Sequence, residues 1–148
     1  MTTATCGSCT DDVCVVVGVD ASPESLAAVE WALRLAESFG CRAVAVHAIG
    51  LLEGQDLRPH PDVAATVAAA RSLHPAHAAV EVDTTYVDGA PAEIIVRTVE
   101  ERNAVVIVVG SRGIGKASHL LGSTSEAVLA RSTVPVLIVP SGSPSAPR

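Results

Sequence analysis

The stretch Ala104-Val-Val-Ile-Val-Val-Gly110-Ser-Arg-Gly-Ile-Gly-Lys116 decides the fold of this chain. It opens with an unbroken apolar run rich in β-branched side chains, and Gly110 ends that run. Such a run predicts a strand buried on both faces of a parallel sheet. A glycine-rich loop follows, then a segment that leads into an amphipathic helix ending near Arg131. The segment from Pro135 to Pro140 predicts a last strand.

The glycine-rich loop has the composition of a phosphate-binding loop. Glycine lets the backbone turn tightly and bring its N–H groups close to a ligand, because no Cβ is in the way. The loop contains three glycines, Gly110, Gly113 and Gly115, and two cations, Arg112 and Lys116. Backbone donors flanked by positive charge are typical of an anion site.

A second set of donors is expected at Gly122, Ser123 and Thr124, where the next helix begins. A helix N-terminus presents unpaired N–H groups and the positive end of the helix dipole. Together with the loop it predicts a phosphate site. The residues from Ser123 to Glu126 also match a capping box, so Ser123 has two predicted roles, as a helix cap and as a phosphate contact.

Two known loop motifs compete for this stretch. The spacing from Gly110 through Gly115 to Lys116 nearly matches a Walker A loop, which needs Ser or Thr directly after the lysine. Position 117 is Ala117, and only one strand remains downstream, so the Walker A interpretation is disfavoured.

The alternative spacing, Gly110-x2-Gly113, a spacer and then Gly122-Ser123, resembles the nucleotide loop of the universal stress protein family. ATP-binding members of that family have nine residues in the spacer, and this chain has eight. A deletion of one residue moves the second donor set by up to about 3.5 Å. The residues from Ser132 to Val139 also resemble the family's ending.

The resemblance implies ATP, with Mg²⁺, as ligand and a strand order of 3-2-1-4-5 in the sheet. It also implies a homodimer that pairs through the last strand, Pro135 to Val139, which would otherwise be an exposed apolar edge. The loop residue Ser111 and the backbone around Gly18 belong to the implied nucleotide site.

The rest of the chain alternates between predicted strands and helices. The other strands are predicted at 13–19, 42–49 and 78–87, and the other helices at 22–40, 62–73 and 88–103. Alternation predicts an α/β fold, a five-stranded parallel sheet with helices on both faces, in a Rossmann-like three-layer sandwich. The weaker apolar pattern of 78–87 favours an edge strand.

In the first helix, Ser22 is the predicted N-cap and Gly40 the predicted end. The apolar residues at helical spacing predict its buried stripe, and they are Leu26, Val29, Leu33 and Ala36.

Ligands in such sheets bind beyond the carboxyl ends of the strands, where the strand order reverses. The loops after strands one, two and four bring Asp20, Ala48 and Gly110 to that place.

Asp20 has two candidate roles. By the resemblance, the Gly18-Val19-Asp20 position contacts adenosine, and the carboxylate would accept a hydrogen bond from the adenine amino group. Alternatively, Asp20 caps the helix that follows it.

Length and charge narrow the class of protein. The chain has 148 residues and a formal net charge of −6, which fits one domain at 12–140 and makes nucleic acid an unexpected partner. Residues 1–11 and 141–148 are expected to be a flexible extension and tail. Because no apolar run is long enough to cross a membrane and no secretory signal is visible, a cytoplasmic protein is expected.

The sequence contains no visible combination of nucleophile, base and acid, so it favours binding over turnover. His47 is predicted to be a satisfied core or edge histidine. The other histidines are predicted to lie on the surface, and they are His60, His74, His77 and His119. The favoured function is an ATP-binding module of the stress response. The alternatives are a nucleotide-free dimeric interaction protein and a slow ATPase.

Overall fold

The computed structural model of the protein describes residues 13–20, 22–49, 62–111 and 121–140. The predicted extension and tail, and the loop residues Arg112, Gly113, Gly115 and Lys116, lie outside this part of the chain.

The described residues form five strands, four α-helices and one short 3₁₀ helix. In chain order these are β1 (Cys14–Gly18), α1 (Pro23–Phe39), β2 (Arg42–Ile49), α2 (Val63–Ser72), the 3₁₀ helix (Pro75–Ala79), β3 (Val82–Asp88), α3 (Pro91–Arg102), β4 (Ala104–Gly110), α4 (Ser123–Arg131) and β5 (Val136–Val139).

The strands form one parallel sheet in the order β3-β2-β1-β4-β5. This confirms the predicted α/β class, the strand order and the edge position of the third strand. Central strand β1 pairs with β2 on one side and β4 on the other, so that Val16 lies opposite both Val44 and Ile107.

The core has two halves, one on each face of the sheet. On one face α1 and α2 pack on the sheet, with Leu33 and Val63 fully buried. On the other face α3 and α4 pack on it, through residues such as Ile95 and Val128. The unbroken apolar strands are explained by this arrangement, because both faces of the central strands are covered.

Glycine and asparagine end two helices as expected from their conformational freedom. Gly40 follows α1 with φ 66°, and Asn103 follows α3 with φ 53°. Both residues adopt the left-handed conformation that closes a helix.

Among the described residues, no helix has the length and apolar character that a membrane crossing requires.

The prediction for the third strand began too early. The first two residues of the expected strand 78–87 belong instead to the 3₁₀ helix, Pro75–Ala79, and β3 starts at Val82. The reason is local: Pro75 opens the helical turn, and the His74 ring nitrogen Nδ1 accepts a hydrogen bond from the Ala76 N–H at 3.2 Å.

The predicted stripe of α1 was wrong at Leu26, which is exposed, whereas Val29, Leu33 and Ala36 are buried. The inward position in the first turn belongs to Ser25, whose hydroxyl bonds to Asp20 and is thereby held against the sheet. A polar contact therefore replaces an apolar one at the start of this helix.

Candidate functional site

The strand register brings the predicted site residues to one edge of the sheet. Val17 lies opposite Ala45 in β2 and opposite Val108 in β4. Three residues further along each segment stand Asp20, Ala48 and Ser111, so they reach the same level. The chain leaves β1 toward β2 on one side, and β4 lies on the other side. This edge is thus the switch point where α/β sheets bind ligands.

Asp20 is held by the first turn of α1. Its Oδ1 accepts hydrogen bonds from the Ser22 N–H and from the Ser25 hydroxyl, each at 2.7 Å. The Asp20 N–H donates in turn to the Ser25 Oγ at 2.7 Å. Asp20 therefore contacts the start of the helix, as the alternative role considered for it requires. Ser22 is the N-cap residue as predicted, but its side chain makes no capping bond, and its own N–H donates to Asp20.

Two glycines at this edge are required by packing. A Cβ on Gly110 would lie 2.8 Å from the Cβ of Glu24, in the first turn of α1. A Cβ on Gly18 would lie 2.8 Å from Cδ1 of Ile95, in α3. Real Cβ atoms do not approach so closely. The glycines thus let the helices sit directly on the ends of β1 and β4.

Ser111 and Gly122 form the base of the glycine-rich loop. The Gly122 N–H donates to the Ser111 carbonyl oxygen at 2.6 Å, and the Ser111 N–H donates to the Val139 carbonyl oxygen at 2.8 Å. The Gly122 N–H, predicted as one donor of the phosphate site, is therefore already used inside the protein. The buried Ser125 hydroxyl donates to the Gly110 carbonyl oxygen and ties α4 to the end of β4.

The predicted capping box with Ser123 as N-cap is wrong. Gly122 is the N-cap of α4, no side-chain bond caps the helix, and Ser123 is its first helical residue. The Gly122 carbonyl accepts the Glu126 N–H at 3.0 Å, which starts the helical ladder. The N–H groups of Ser123 and Thr124 occupy the first two helical positions, where an α-helix offers no acceptor of its own.

The histidine predictions met mixed outcomes. His47 is buried, with Nδ1 2.8 Å from the Val19 carbonyl oxygen, which confirms the prediction of a satisfied core histidine. His77 is also buried, which contradicts the predicted surface position, because the 3₁₀ helix turns it inward beside Ala70. His60 and His119 lie outside the described residues.

Sequence reasoning missed Ser25 as a residue of this edge. A signal was present, because Asp20 stands just before a helix whose first turn contains Ser25, and side chains of these types bond to nearby backbone and to each other. The described residues contain no group of three or more His, Cys, Asp or Glu side chains that could hold a metal ion.

These contacts join the edge into one unit: Asp20 bonds to the start of α1, Glu24 of α1 packs on Gly110, and Ser125 ties Gly110 to α4. The model of the universal stress protein family matches residues 14–140, which contain every described element. The chain belongs to the universal stress protein family.

Individual relatives agree with this assignment. Universal stress protein YxiE of Bacillus subtilis is 48% identical over 61 residues, which are 40% of this chain and 41% of that protein. A universal stress protein of Mycolicibacterium smegmatis is 31% identical over 140 residues, 84% of this chain and 47% of that protein. The chain thus spans less than half the length of these curated relatives.

One solved structure similar to this chain is a complex with a nucleotide. The crystal structure of a universal stress protein in complex with cAMP is 30% identical to this chain, with a TM-score of 0.64. The similarity covers 86% of this chain and 95% of that one.

Proposed function

We propose that this universal stress protein binds an adenine nucleotide, ATP with Mg²⁺, at the carboxyl edge of its sheet and acts as a regulatory module of the stress response. The observation that carries the proposal is the attachment of α4 to the end of β4, through Ser125 to Gly110 and through Gly122 to Ser111. This attachment places a helix N-terminus beside the base of the glycine-rich loop.

The phosphates are proposed to bind at that helix N-terminus. The donors are the N–H groups of Ser123 and Thr124, and a helix dipole adds partial positive charge at this end. The loop residues that the sequence assigns to the same task are Arg112, Gly113, Gly115 and Lys116. Gly122 takes part through its position as N-cap and not through its own N–H.

The adenosine is proposed to bind on the other side of the edge, at the ends of β1 and β2. Both hydrogen bonds that the Asp20 carboxylate accepts among the described residues go to Oδ1, and Oδ2 is the atom proposed for the adenine amino group. Gly18 and Ala48 supply the backbone around the base. The structure in complex with cAMP, which contains adenosine, supports an adenine ligand.

Mg²⁺ is proposed to arrive with the phosphates. This ion is usually held by phosphate oxygens and water with one or two carboxylates.

Calorimetric titration with Mg-ATP tests the proposal, with AMP and cAMP as comparison ligands. The informative variant is Gly122→Glu, which adds a carboxylate at the start of α4. Its control is Gly122→Gln, because a glutamine side chain has the size of glutamate without the charge. We expect the wild-type protein to bind Mg-ATP and the glutamate variant to bind at least tenfold more weakly than the glutamine variant, through charge repulsion. No heat with any of the three nucleotides would contradict the proposal.

We also propose a homodimer that forms through β5. This strand is one of the two sheet edges, and its residues Val136, Leu137 and Ile138 are only partly buried. An apolar edge of this kind is stabilised when a second strand pairs with it. Light scattering at micromolar concentration is expected to give the dimer mass. Val136→Lys is expected to shift the protein to monomer, and Val82→Lys, on the opposite edge, is the control.

A further inference from the structure

His47 contacts the backbone just before Asp20, the residue proposed to bind the base. It lies in β2, next to Ala48, and only 3% of its surface is exposed. Its Nδ1 is 2.8 Å from the carbonyl oxygen of Val19, the residue before Asp20. Because a carbonyl oxygen can only accept, the hydrogen of this bond must be on Nδ1.

The Val19 carbonyl is one half of the peptide unit that joins Val19 to Asp20. The other half is the Asp20 N–H, which donates to the Ser25 hydroxyl at 2.7 Å. Both ends of this single peptide unit are therefore held by side chains, one from β2 and one from α1. We refer to His47, Ser25 and the peptide between them as the peptide clamp.

The clamp acts at the point where β1 has ended. The Val19 N–H still belongs to the sheet, since it donates to the Val46 carbonyl oxygen at 2.9 Å. The next peptide unit is held by side chains, so its plane depends on His47 and Ser25. The direction of the Asp20 side chain depends in turn on that plane, since Cα of Asp20 belongs to it.

The imidazole ring is itself oriented by its neighbour across the strands. Tyr86 in β3 is directly opposite His47 in the register, and the two rings meet edge to face, with centroids 5.9 Å apart. The Tyr86 hydroxyl accepts the N–H of Val63 at the start of α2 at 3.1 Å. The ring of His47 thus stands between the end of β1 and the start of α2.

We propose that His47 is a positioning residue for recognition of a 6-aminopurine: it fixes the peptide unit that aims the Asp20 carboxylate at the base and touches no ligand itself. The inference rests on the proposed nucleotide function. It assigns base selectivity to the clamp, whereas phosphate affinity belongs to the start of α4 and the glycine-rich loop. A carboxylate accepts from the amino group of adenine and repels the carbonyl oxygen of guanine, so a misdirected Asp20 loses discrimination between the two.

The test compares two substitutions of the same histidine. His47→Asn keeps an N–H donor at the place of Nδ1, and His47→Leu removes it. The matched control is His77→Leu, because His77 is as deeply buried as His47 but lies in the 3₁₀ helix. The ligands are Mg-ATP, Mg-GTP and Mg-tripolyphosphate, which has no base.

We expect His47→Leu to lower the ratio of ATP to GTP affinity by about tenfold, the size expected when one hydrogen bond to a charged group is lost. Tripolyphosphate affinity is expected to stay unchanged, His47→Asn to restore most of the ratio, and His77→Leu to leave it unchanged. If folded His47→Leu keeps the wild-type ratio, the proposal is overturned. Should that variant not fold, Ser25→Ala releases the other end of the same peptide and must lower the ratio in the same way.

A second readout needs no ligand. Amide hydrogen exchange of Asp20 in the nucleotide-free protein is expected to accelerate in His47→Leu and not in His77→Leu. Wild-type protein that binds no nucleotide, with Asp20 exchange still dependent on His47, would refute the proposed function but support the clamp. Nucleotide binding with exchange independent of His47 would refute the positioning role and leave the proposed function standing.

Discussion

The starts of α1 and α4 share a buried serine but differ in the side-chain bonds made at the helix start. Each helix follows an inner strand of the sheet, β1 or β4, and each has a buried serine as its third residue, Ser25 in α1 and Ser125 in α4. Each serine reaches back to the strand end before it. At α1, however, the carboxylate of Asp20 accepts bonds from the helix start, whereas among the described residues no side chain caps α4.

The difference indicates how one sheet edge can hold two kinds of binding group. The start of α1 already carries a negative charge in hydrogen-bond contact, so it has little attraction for a phosphate. At the start of α4, the first two N–H groups have no acceptor within the helix and can bond to an outside acceptor. The first end is suited to an amino group and the second to an anion. Four substitutions test this contrast, and they are ordered below by expected effect.

The largest effect is expected at Gly110, where the two helix starts meet through β4. Gly110→Ala places a Cβ against the Cβ of Glu24, an atom fixed by the backbone of α1, so we expect a loss of about 3 kcal/mol. Gly18→Ala is the control, because its Cβ meets the tip of Ile95, which can rotate away at a cost of about 1 kcal/mol. Urea denaturation measures both. Equal losses would show that the contact with α1 is not special.

Asp20→Ala is expected to cost about 2 kcal/mol, because it leaves the Ser22 N–H without its acceptor and the Ser25 hydroxyl without one partner. Asp20→Asn keeps the Oδ1 acceptor and is expected to retain most of the stability. The midpoint of urea denaturation distinguishes the two variants. An alanine variant as stable as wild type would remove the capping role from Asp20.

Ser125→Ala removes the hydroxyl that donates to the Gly110 carbonyl and is expected to cost about 1 kcal/mol. The side chain is buried, so water cannot easily replace the bond. Ser125→Thr keeps the hydroxyl and serves as the comparison in the same denaturation series. If the proposed function is correct, the alanine variant is also expected to weaken Mg-ATP binding, and unchanged affinity would argue against the proposed role of the attachment.

The smallest effect is expected at Ser123. A serine that caps a helix costs about 0.5–2 kcal/mol when changed to alanine. Because Ser123 makes no capping bond and is exposed, Ser123→Ala is expected to change stability by no more than about 0.5 kcal/mol. A loss similar to that of Asp20→Ala would mean that α4 is capped like α1 after all.

The fold was predictable because its signals are local and repeated. Unbroken apolar runs such as that in β4 identify strands covered on both faces, and helices between them require a parallel sheet. The strand order came from the family resemblance and not from periodicity.

The structural features that could not be predicted from the sequence depend on contacts between distant segments. The N-cap of α4 is Gly122, one residue before the predicted Ser123, and the Gly122 N–H bonds to Ser111, eleven positions earlier. The bond between His47 and Val19 spans 28 positions, and nothing in the strand pattern of β2 marks it. His77 is buried because a short 3₁₀ helix replaces the expected strand start, and the apolar pattern did not distinguish the two.

The hydrogen bond between Ser111 and Gly122 has a consequence for how this family can vary. It joins the residues on either side of the segment 112–121, and the entropy of closing a flexible loop changes only slowly with its length. For one residue more or less the change is about 0.1 kcal/mol. The spacer can therefore gain or lose a residue with almost no change in the stability of the sheet. Selection for ligand binding can then change the length of the spacer without unfolding the protein.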